Sequence, residues 1–193
     1  MTRTTFDRIA KSTLRQSFWL HANYLEDLPD PRSRREAFRL VRKAVKMGLR
    51  DARAPLAYYY DTGVCVRPSR RMGRHWYRKA WRSGSSLAAR NQAITLRTEG
   101  CISSAITWFH RAIASGDPDS RLDLAKLLLA DPSQHNEAHR LLEEYVAIGP
   151  QQTYEVRPGR PHPLIPMVDK NLGDESYAEA KQVLKELEGA AHA

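Results

Sequence analysis

Residues 51–84 read DARAPLAYYYDTGVCVRPSRRMGRHWYRKAWRSG, and this stretch decides the fold because it holds two amphipathic segments that each end in a glycine. In the second segment, apolar side chains stand three, four, seven and eight positions before Gly84. That spacing places them on one face of an α-helix. The glycine can adopt the left-handed conformation that ends a helix. The stretch therefore predicts two helices joined by a linker.

The same arrangement recurs along the chain, with final glycines at Gly48, Gly84, Gly116 and Gly149. The intervals between them are 36, 32 and 33 residues. A period of this length is typical of helical repeat arrays, in which each helix pair buries its apolar face against the next pair. The sequence thus predicts an all-α solenoid of about four antiparallel helix pairs.

The repeat period sets the predicted organisation of the chain. The array covers residues 1–149, with units at about 13–48, 49–84, 85–116 and 117–149. Residues 150–173 contain five prolines and no helical period, so an extended or irregular segment is expected there. Residues 174–188 form an amphipathic pattern that predicts a C-terminal helix capping the last unit, since the end of an array would otherwise expose apolar surface.

Two local patterns predict where helices begin. Asp117 followed by Pro118 is a favourable helix start, and Ser33 with Glu36 has the spacing of a capping box just before Ala37. Both patterns are consistent with the phase of the repeat.

The pattern AxxxLAxxYxxG, a short linker and then AxxWYxxAxxxG resembles the Sel-1-like repeat, a relative of the tetratricopeptide repeat. The resemblance implies a right-handed superhelix whose concave surface binds a protein or peptide, commonly in bacterial signalling, secretion or host contact. It also implies that the first helix of each pair lines that surface. The partner-binding candidates left over from packing on these helices are Tyr58, Asp61, Asn91, Thr95, Thr98 and Lys126.

Arginines and aromatic residues alternate between residues 70 and 84, a composition that could suit nucleic acid. Trp108 and Phe109 occupy the places of Trp76 and Tyr77 in a unit with almost no positive charge, so we interpret Trp76, Tyr77 and Trp81 as packing residues. The basic side chains then lie on the solvent side, either as an ordinary solvated face or as a docking face for an acidic surface. This basic patch comprises Arg70, Arg71, Arg74, Arg78, Lys79 and Arg82.

The formal net charge of +9 is unevenly distributed. Residues 1–84 hold 20 Lys and Arg against 7 Asp and Glu, whereas residues 85–193 hold 11 against 15. Such asymmetry favours an acidic partner for the N-terminal half, whether a protein or a nucleic acid. The use of 23 Arg against 8 Lys indicates a GC-rich bacterial genome.

Motifs for catalysis, nucleotide binding and metal binding do not occur in the sequence. Cys65 and Cys101 are too few for a disulfide framework, and His135 with His139 has no further ligand assigned nearby. We therefore expect free thiols and no metal, cofactor or catalytic site.

The leading hypothesis is a non-enzymatic protein-interaction module, acting as an adaptor, a regulator or an immunity-type binder. The alternative function is nucleic-acid or acidic-surface binding through the basic N-terminal half. No apolar stretch approaches the length of a membrane helix, and the N-terminus lacks a secretory signal. We expect a cytoplasmic protein without a membrane partner.

Overall fold

The structure is a computed structural model that describes residues 31–149 and 170–191. Over these residues it contains eight α-helices, one short 3-10 helix and no strand, which confirms the all-α class. The helices are α1 Pro31–Lys46, α2 Arg53–Thr62, α3 Arg70–Trp81, α4 Ser86–Thr98, α5 Ile102–Ala114, α6 Asp119–Leu128, α7 His135–Ile148 and α8 Lys170–Ala191, and the 3-10 helix is Pro132–Gln134.

Several predictions lie outside the described residues. They include the first helix of the first repeat, within residues 13–30, and residues 150–169 of the Pro-rich segment. The described chain divides into two compact units, with the boundary inside α4 between Gln92 and Ala93. Each unit is described separately below.

In the first unit, α2 and α3 form an antiparallel pair. Gly73, near the start of α3, lies against Asp61 at the end of α2, and a Cβ atom on this glycine would stand 3.1 Å from the Cβ of Asp61. At the other end of the pair, Ala80 packs with Ala54 and Ala57. Small residues at these positions let the two helices approach closely, as the repeat pattern requires.

Aromatic side chains fill the first unit. Tyr59 and Tyr77 are fully buried, and the ring of Phe38 meets that of Tyr59 edge to face with the centroids 5.4 Å apart. Trp76 is half-buried and packs against two clusters, one formed by α1 and α2 and the other by α2, α3 and Ala88 of α4. The interpretation of Trp76 and Tyr77 as packing residues is confirmed.

The glycines end helices as the sequence predicts. The φ angles at Gly48, Gly84, Gly116 and Gly149 are all positive and lie between 82° and 99°, a range that favours glycine. At Gly84 the backbone N–H donates to the carbonyl of Trp81 at 2.8 Å, while the next N–H, of Ser85, reaches Ala80 at 3.2 Å. This pair of bonds is the Schellman arrangement, which satisfies carbonyls that the helix end would otherwise leave unbonded.

The second unit holds an antiparallel pair made by α6 and α7. Arg121 at the start of α6 forms an ion pair with Glu144 near the end of α7, with 3.2 Å between Nε and Oε2. The Tyr145 hydroxyl donates to Asp119 at 3.4 Å. The core of this unit includes the buried side chains Trp108, Phe109, Leu124, Leu128, Leu141, Leu142 and Tyr145.

Helix α8 lies against the α6–α7 pair. Its Ala180 is buried, Glu179 forms an ion pair with Lys126 of α6 at 2.5 Å, and Glu188 lies 3.9 Å from the ring of His139 in α7. The helix starts at Lys170 and ends at Ala191, so it is longer than the predicted 174–188. None of the helices in the described ranges is long and apolar enough to cross a membrane.

The two predicted helix starts have different outcomes. Asp117 does cap α6, because its Oδ2 accepts from the backbone N–H of Ser120 at 2.9 Å and from the Ser120 hydroxyl at 2.6 Å. The capping box at Ser33 is wrong, since α1 already begins at Pro31 and Ser33 lies within its first turn. Proline suits the first helical position, where its missing N–H costs no hydrogen bond.

Candidate functional site

Three of the six predicted partner-binding residues act on the hydroxyl of Tyr77. Asn91 forms a side-chain hydrogen bond with this hydroxyl, and Asp61 and Tyr58 are close enough to act on it electrostatically. Burial raises the pKa of Tyr77, Asp61 and Tyr58 raise it further, and the hydrogen bond with Asn91 opposes them. We call Tyr58, Asp61, Tyr77 and Asn91 the tyrosine site.

Helical spacing explains how the tyrosine site is assembled. Tyr58 and Asp61 are three residues apart on α2 and share a face, as do Gly73 and Tyr77, four apart on α3. Because Gly73 has no side chain, α3 can lie against Asp61, and Tyr77 is then carried to the same region one turn later. The sequence therefore fixes both sides of the site.

The accessible part of the site combines an aromatic ring with polar groups. Tyr58 is 43% exposed, whereas Asp61 and Asn91 are half-buried. Leu87, one turn before Asn91 on α4, is 52% exposed. Exposed apolar side chains beside carboxylate and amide groups have the composition of a protein-binding surface, with an apolar centre and a polar rim.

Leu87 was missed by the sequence reasoning, which considered only side chains not needed for packing. Its apolar character made it resemble a core residue. Its spacing of four residues before Asn91 was the signal that could have placed it on the exposed face of α4.

The other three candidates lie in the second unit and differ in accessibility. Thr95 departs from the prediction because it is only 6% exposed, on the face of α4 that also buries Ala88 and Gln92. Thr98 is exposed, and its hydroxyl donates to the carbonyl of Thr95 at 2.8 Å. Lys126 is engaged within the chain by Glu179.

The predicted basic patch is mostly exposed. Five of its members, Arg70, Arg71, Arg78, Lys79 and Arg82, are exposed, while Arg74 is half-buried. Lys79 lies over the ring of Trp76, with 4.9 Å from Nζ to the ring centroid. The pKa of His75 is lowered by partial burial and by the positive charges of Lys79 and Arg78. In the sequence of α3, His75 lies between Arg71 and these two residues. The patch is thus a strongly positive surface in which one aromatic face is already covered.

The histidines and cysteines are placed as follows. Within residues 31–149 and the described part of α8, no three His, Cys, Asp or Glu side chains are grouped so that they could hold a metal ion. A ring nitrogen of His135 lies 3.2 Å from the carbonyl of Leu129, and His139 lies between Glu143 and Glu188. Cys65 and Cys101 are free thiols.

The antiparallel helix pairs and their glycine stops define the class of this protein, an all-α helical repeat protein. More particularly, the family model for the Sel1 repeat matches residues 22–49, 51–85 and 102–117, so these stretches are similar to Sel1 repeats. The resemblance to Sel-1-like repeats is thereby confirmed.

Two solved structures are similar to this chain. A Sel1 repeat protein from Oxalobacter formigenes is 21% identical with a TM-score of 0.58, and the match covers 72% of this chain and 58% of that one. A protective antigen of uropathogenic Escherichia coli strains, which displays an SLR fold, is 18% identical with a TM-score of 0.59, over 70% of this chain and 31% of that one. At these identities the likeness shows the fold. A search of curated proteins gives no significant match.

Proposed function

We propose that this chain is a non-enzymatic protein-interaction module that holds a protein or peptide partner at the tyrosine site. The Sel1 repeats support this proposal, because repeats of this kind generally mediate protein-protein interaction. The observation that carries it is the exposed Tyr58 ring, which lies on the same helix as Asp61, while both side chains and Asn91 act on the buried hydroxyl of Tyr77.

Tyrosine is well suited to anchor a partner. Its ring contributes a large contact area at a low entropic cost, and tyrosines are enriched among the residues that dominate binding energy. Here the ring projects from a helix whose neighbours fix its position, since α2 packs closely on α3 at Gly73. A surface that is already ordered loses little conformational freedom on binding.

The polar members of the site can position a peptide backbone. The Asp61 carboxylate accepts hydrogen bonds, and the Asn91 amide both donates and accepts them. With Tyr58 and Leu87 providing apolar contact, the site suits a segment that presents an apolar side chain between backbone or basic N–H groups.

The position of the site agrees with the geometry proposed for the array. Tyr58 and Asp61 lie on α2 and Asn91 lies on α4, which we assign as the first helices of consecutive repeats. In related repeats the first helices line the concave side, so one partner would contact two successive repeats at once. We propose this surface, in a cytoplasmic adaptor, regulator or immunity-type binder; the two free thiols support a reducing compartment.

A capture experiment with matched variants tests the proposal. The affinity-tagged chain is used to recover partners from native lysate, and each recovered protein is compared between wild type, Tyr58→Ala with Asp61→Ala, and Ile102→Ala with Thr107→Ala. Ile102 is 42% exposed and so matches Tyr58, but it lies on α5 in the second unit. Circular dichroism is the control, and both variants are expected to keep the wild-type helical content.

A partner that binds at the tyrosine site is retained by the α5 variant and lost from the α2 variant. Loss of a tyrosine anchor corresponds to a weakening of about 30-fold or more. Equal retention by both variants would contradict the site while leaving the fold intact.

A further inference from the structure

Residues 31–92 of the first unit carry a large excess of positive charge. Residues 31–92 contain seventeen Arg and Lys against three acidic residues, Glu36, Asp51 and Asp61. Glu36 forms an ion pair with Arg39 at 3.2 Å. Both residues lie on α1, so this ion pair joins no second helix in the described part of the unit. The described part of the first unit therefore presents far more positive than negative charge.

Helix α1 carries the largest share of this charge. After Pro31, every exposed residue of α1 is an arginine or a lysine. We call these residues the basic face: Arg32, Arg34, Arg35, Arg39, Arg42, Lys43 and Lys46. Five of the seven, Arg32, Arg35, Arg39, Arg42 and Lys46, follow one another at intervals of three or four residues and form a stripe along the helix.

Helix α3 adds to the positive surface of the same unit. Its exposed Arg70, Arg71, Arg78 and Lys79 belong to a helix whose Trp76 packs against the core cluster of α1 and α2. The two basic helices are thus held by one core rather than joined by a flexible segment. A rigid set of charges binds an extended anion without first having to be ordered.

The composition of the basic face distinguishes between classes of partner. Protein interfaces bury an apolar centre, and charged residues are depleted there. Helix α1 has no exposed apolar side chain after Pro31. Interfaces with nucleic acid are much more positively charged, and arginine suits them because its guanidinium binds phosphate in a bidentate manner.

The aromatic rings of this region argue for a duplex rather than a single strand. Single-stranded nucleic acid is bound by stacking bases on exposed aromatic rings. Here the ring of Phe38 faces Arg42, 5.5 Å from its guanidinium carbon, and that of Trp76 faces Lys79. Phosphate contacts on a duplex need no stacking surface.

We propose that the basic face of α1, extended by α3, binds double-stranded nucleic acid through its phosphate backbone. This surface lies on helices that end their repeat units, whereas the tyrosine site is built mainly from α2 and α4, so the inference does not depend on the proposed function. Duplex DNA and duplex RNA present the same phosphate chemistry, and the experiment includes both.

Fluorescence anisotropy with labelled 24-base-pair duplexes of DNA and of RNA measures the affinity of the full chain between 50 and 200 mM KCl. Each neutralised phosphate contributes about −0.9 to the slope of log K against log salt. With at least four contacts the slope is about −3.6, and affinity falls by about 150-fold over this range.

Two charge-matched variants localise the contacts. Arg32→Gln with Arg35→Gln and Lys46→Gln removes three charges from the basic face. Arg140→Gln with Lys181→Gln and Lys185→Gln removes three exposed charges from the second unit. Because both variants have the same net charge, any difference between them reports position rather than total charge.

The expected result is that the α1 variant lowers the magnitude of the salt slope by about 2 to 3, one for each lost phosphate contact, while the control keeps the wild-type slope. Binding that is absent at 50 mM KCl, or reduced equally by the two variants, would overturn the proposal. Poly-glutamate serves as a competitor that imitates an acidic protein surface. If it displaces the duplex as effectively as unlabelled duplex at equal charge, the surface recognises acidic protein and the proposal is wrong.

Discussion

Asn91 of α4 forms a side-chain hydrogen bond with the buried hydroxyl of Tyr77 in α3. The bond joins the helix that closes one proposed repeat to the helix that opens the next. Asp61 and Tyr58 act electrostatically on the same hydroxyl. Packing between repeats and presentation of the candidate binding surface therefore depend on the same contact.

A double-mutant cycle measures the energy of this contact. We expect Tyr77→Phe and Asn91→Ala to be coupled by about 1 kcal/mol in the free energy of unfolding, the usual net value of one protein hydrogen bond. Urea denaturation of the wild type, both single variants and the double variant gives the coupling. Strictly additive effects would show that the two side chains do not interact.

Alkaline pH should destabilise the protein through Tyr77. Its pKa in the folded state is raised, so its contribution to stability is fully present below the unfolded value of about 10 and is lost as the pH rises above it. Above pH 10 the folded state keeps a proton that the unfolded state releases. Each such proton lowers the free energy of unfolding by about 1.4 kcal/mol per pH unit.

Chemical denaturation of the wild type and Tyr77→Phe between pH 8 and 11 checks this slope. The variant lacks the proton and should lose less stability per pH unit over the alkaline half of the range. Identical slopes would mean that Tyr77 ionises as readily in the folded chain as in the unfolded one.

Removal of a buried tryptophan should destabilise the second unit strongly. Trp108 is 9% exposed, and Trp108→Ala should cost about 3 to 5 kcal/mol, because it removes apolar contacts and leaves a cavity. Arg78→Ala is the surface comparison and should cost under about 1 kcal/mol, since Arg78 is exposed. Urea midpoints of the two variants provide the test, and a large loss for Arg78→Ala would indicate that this arginine contributes to packing.

Two glycines with positive φ should respond differently to alanine. At Gly63, with φ of 76°, a Cβ would lie 2.9 Å from the ring of Pro68, whereas at Gly84, with φ of 99°, no heavy atom lies within 4 Å. Gly84→Ala should therefore cost about 1 to 2 kcal/mol from the backbone alone. Gly63→Ala should cost about 2 to 4 kcal/mol, because overpacking adds to the strain.

Thermal unfolding of the two alanine variants under identical conditions ranks them. A smaller loss for Gly63→Ala than for Gly84→Ala would contradict the close approach of Pro68. The comparison needs no further variant, because both glycines end helices of the same unit.

Much of the fold follows from local spacing in the sequence. The stops at Gly48 and Gly84 and the burial of Tyr77 each depend on residues within two turns of one helix, so the periodic pattern is sufficient to predict them. Asp117 was predictable for the same reason, since a capping side chain acts on the backbone three residues away. Ser33 was not, because the proline at position 31 also fits a helix start and is the one used.

The candidate site was harder to predict because it depends on contacts between helices. Periodicity alone does not predict that Thr95 faces the buried side of α4, or that α8 brings Glu179 to Lys126. The meeting of Tyr58, Asp61 and Asn91 at Tyr77 requires α2, α3 and α4 together. Positions on one helix follow from periodicity, whereas such a cluster requires tertiary structure.

Site-specific photo-crosslinking in cells tests the central claim most directly, which is that a partner protein is held at the tyrosine site. A photoreactive phenylalanine analogue replaces Tyr58 in one variant and the equally exposed Ile102 in another. The account predicts a discrete protein adduct from position 58 that is absent from position 102. An adduct of equal yield from both positions, or from position 102 alone, would contradict it.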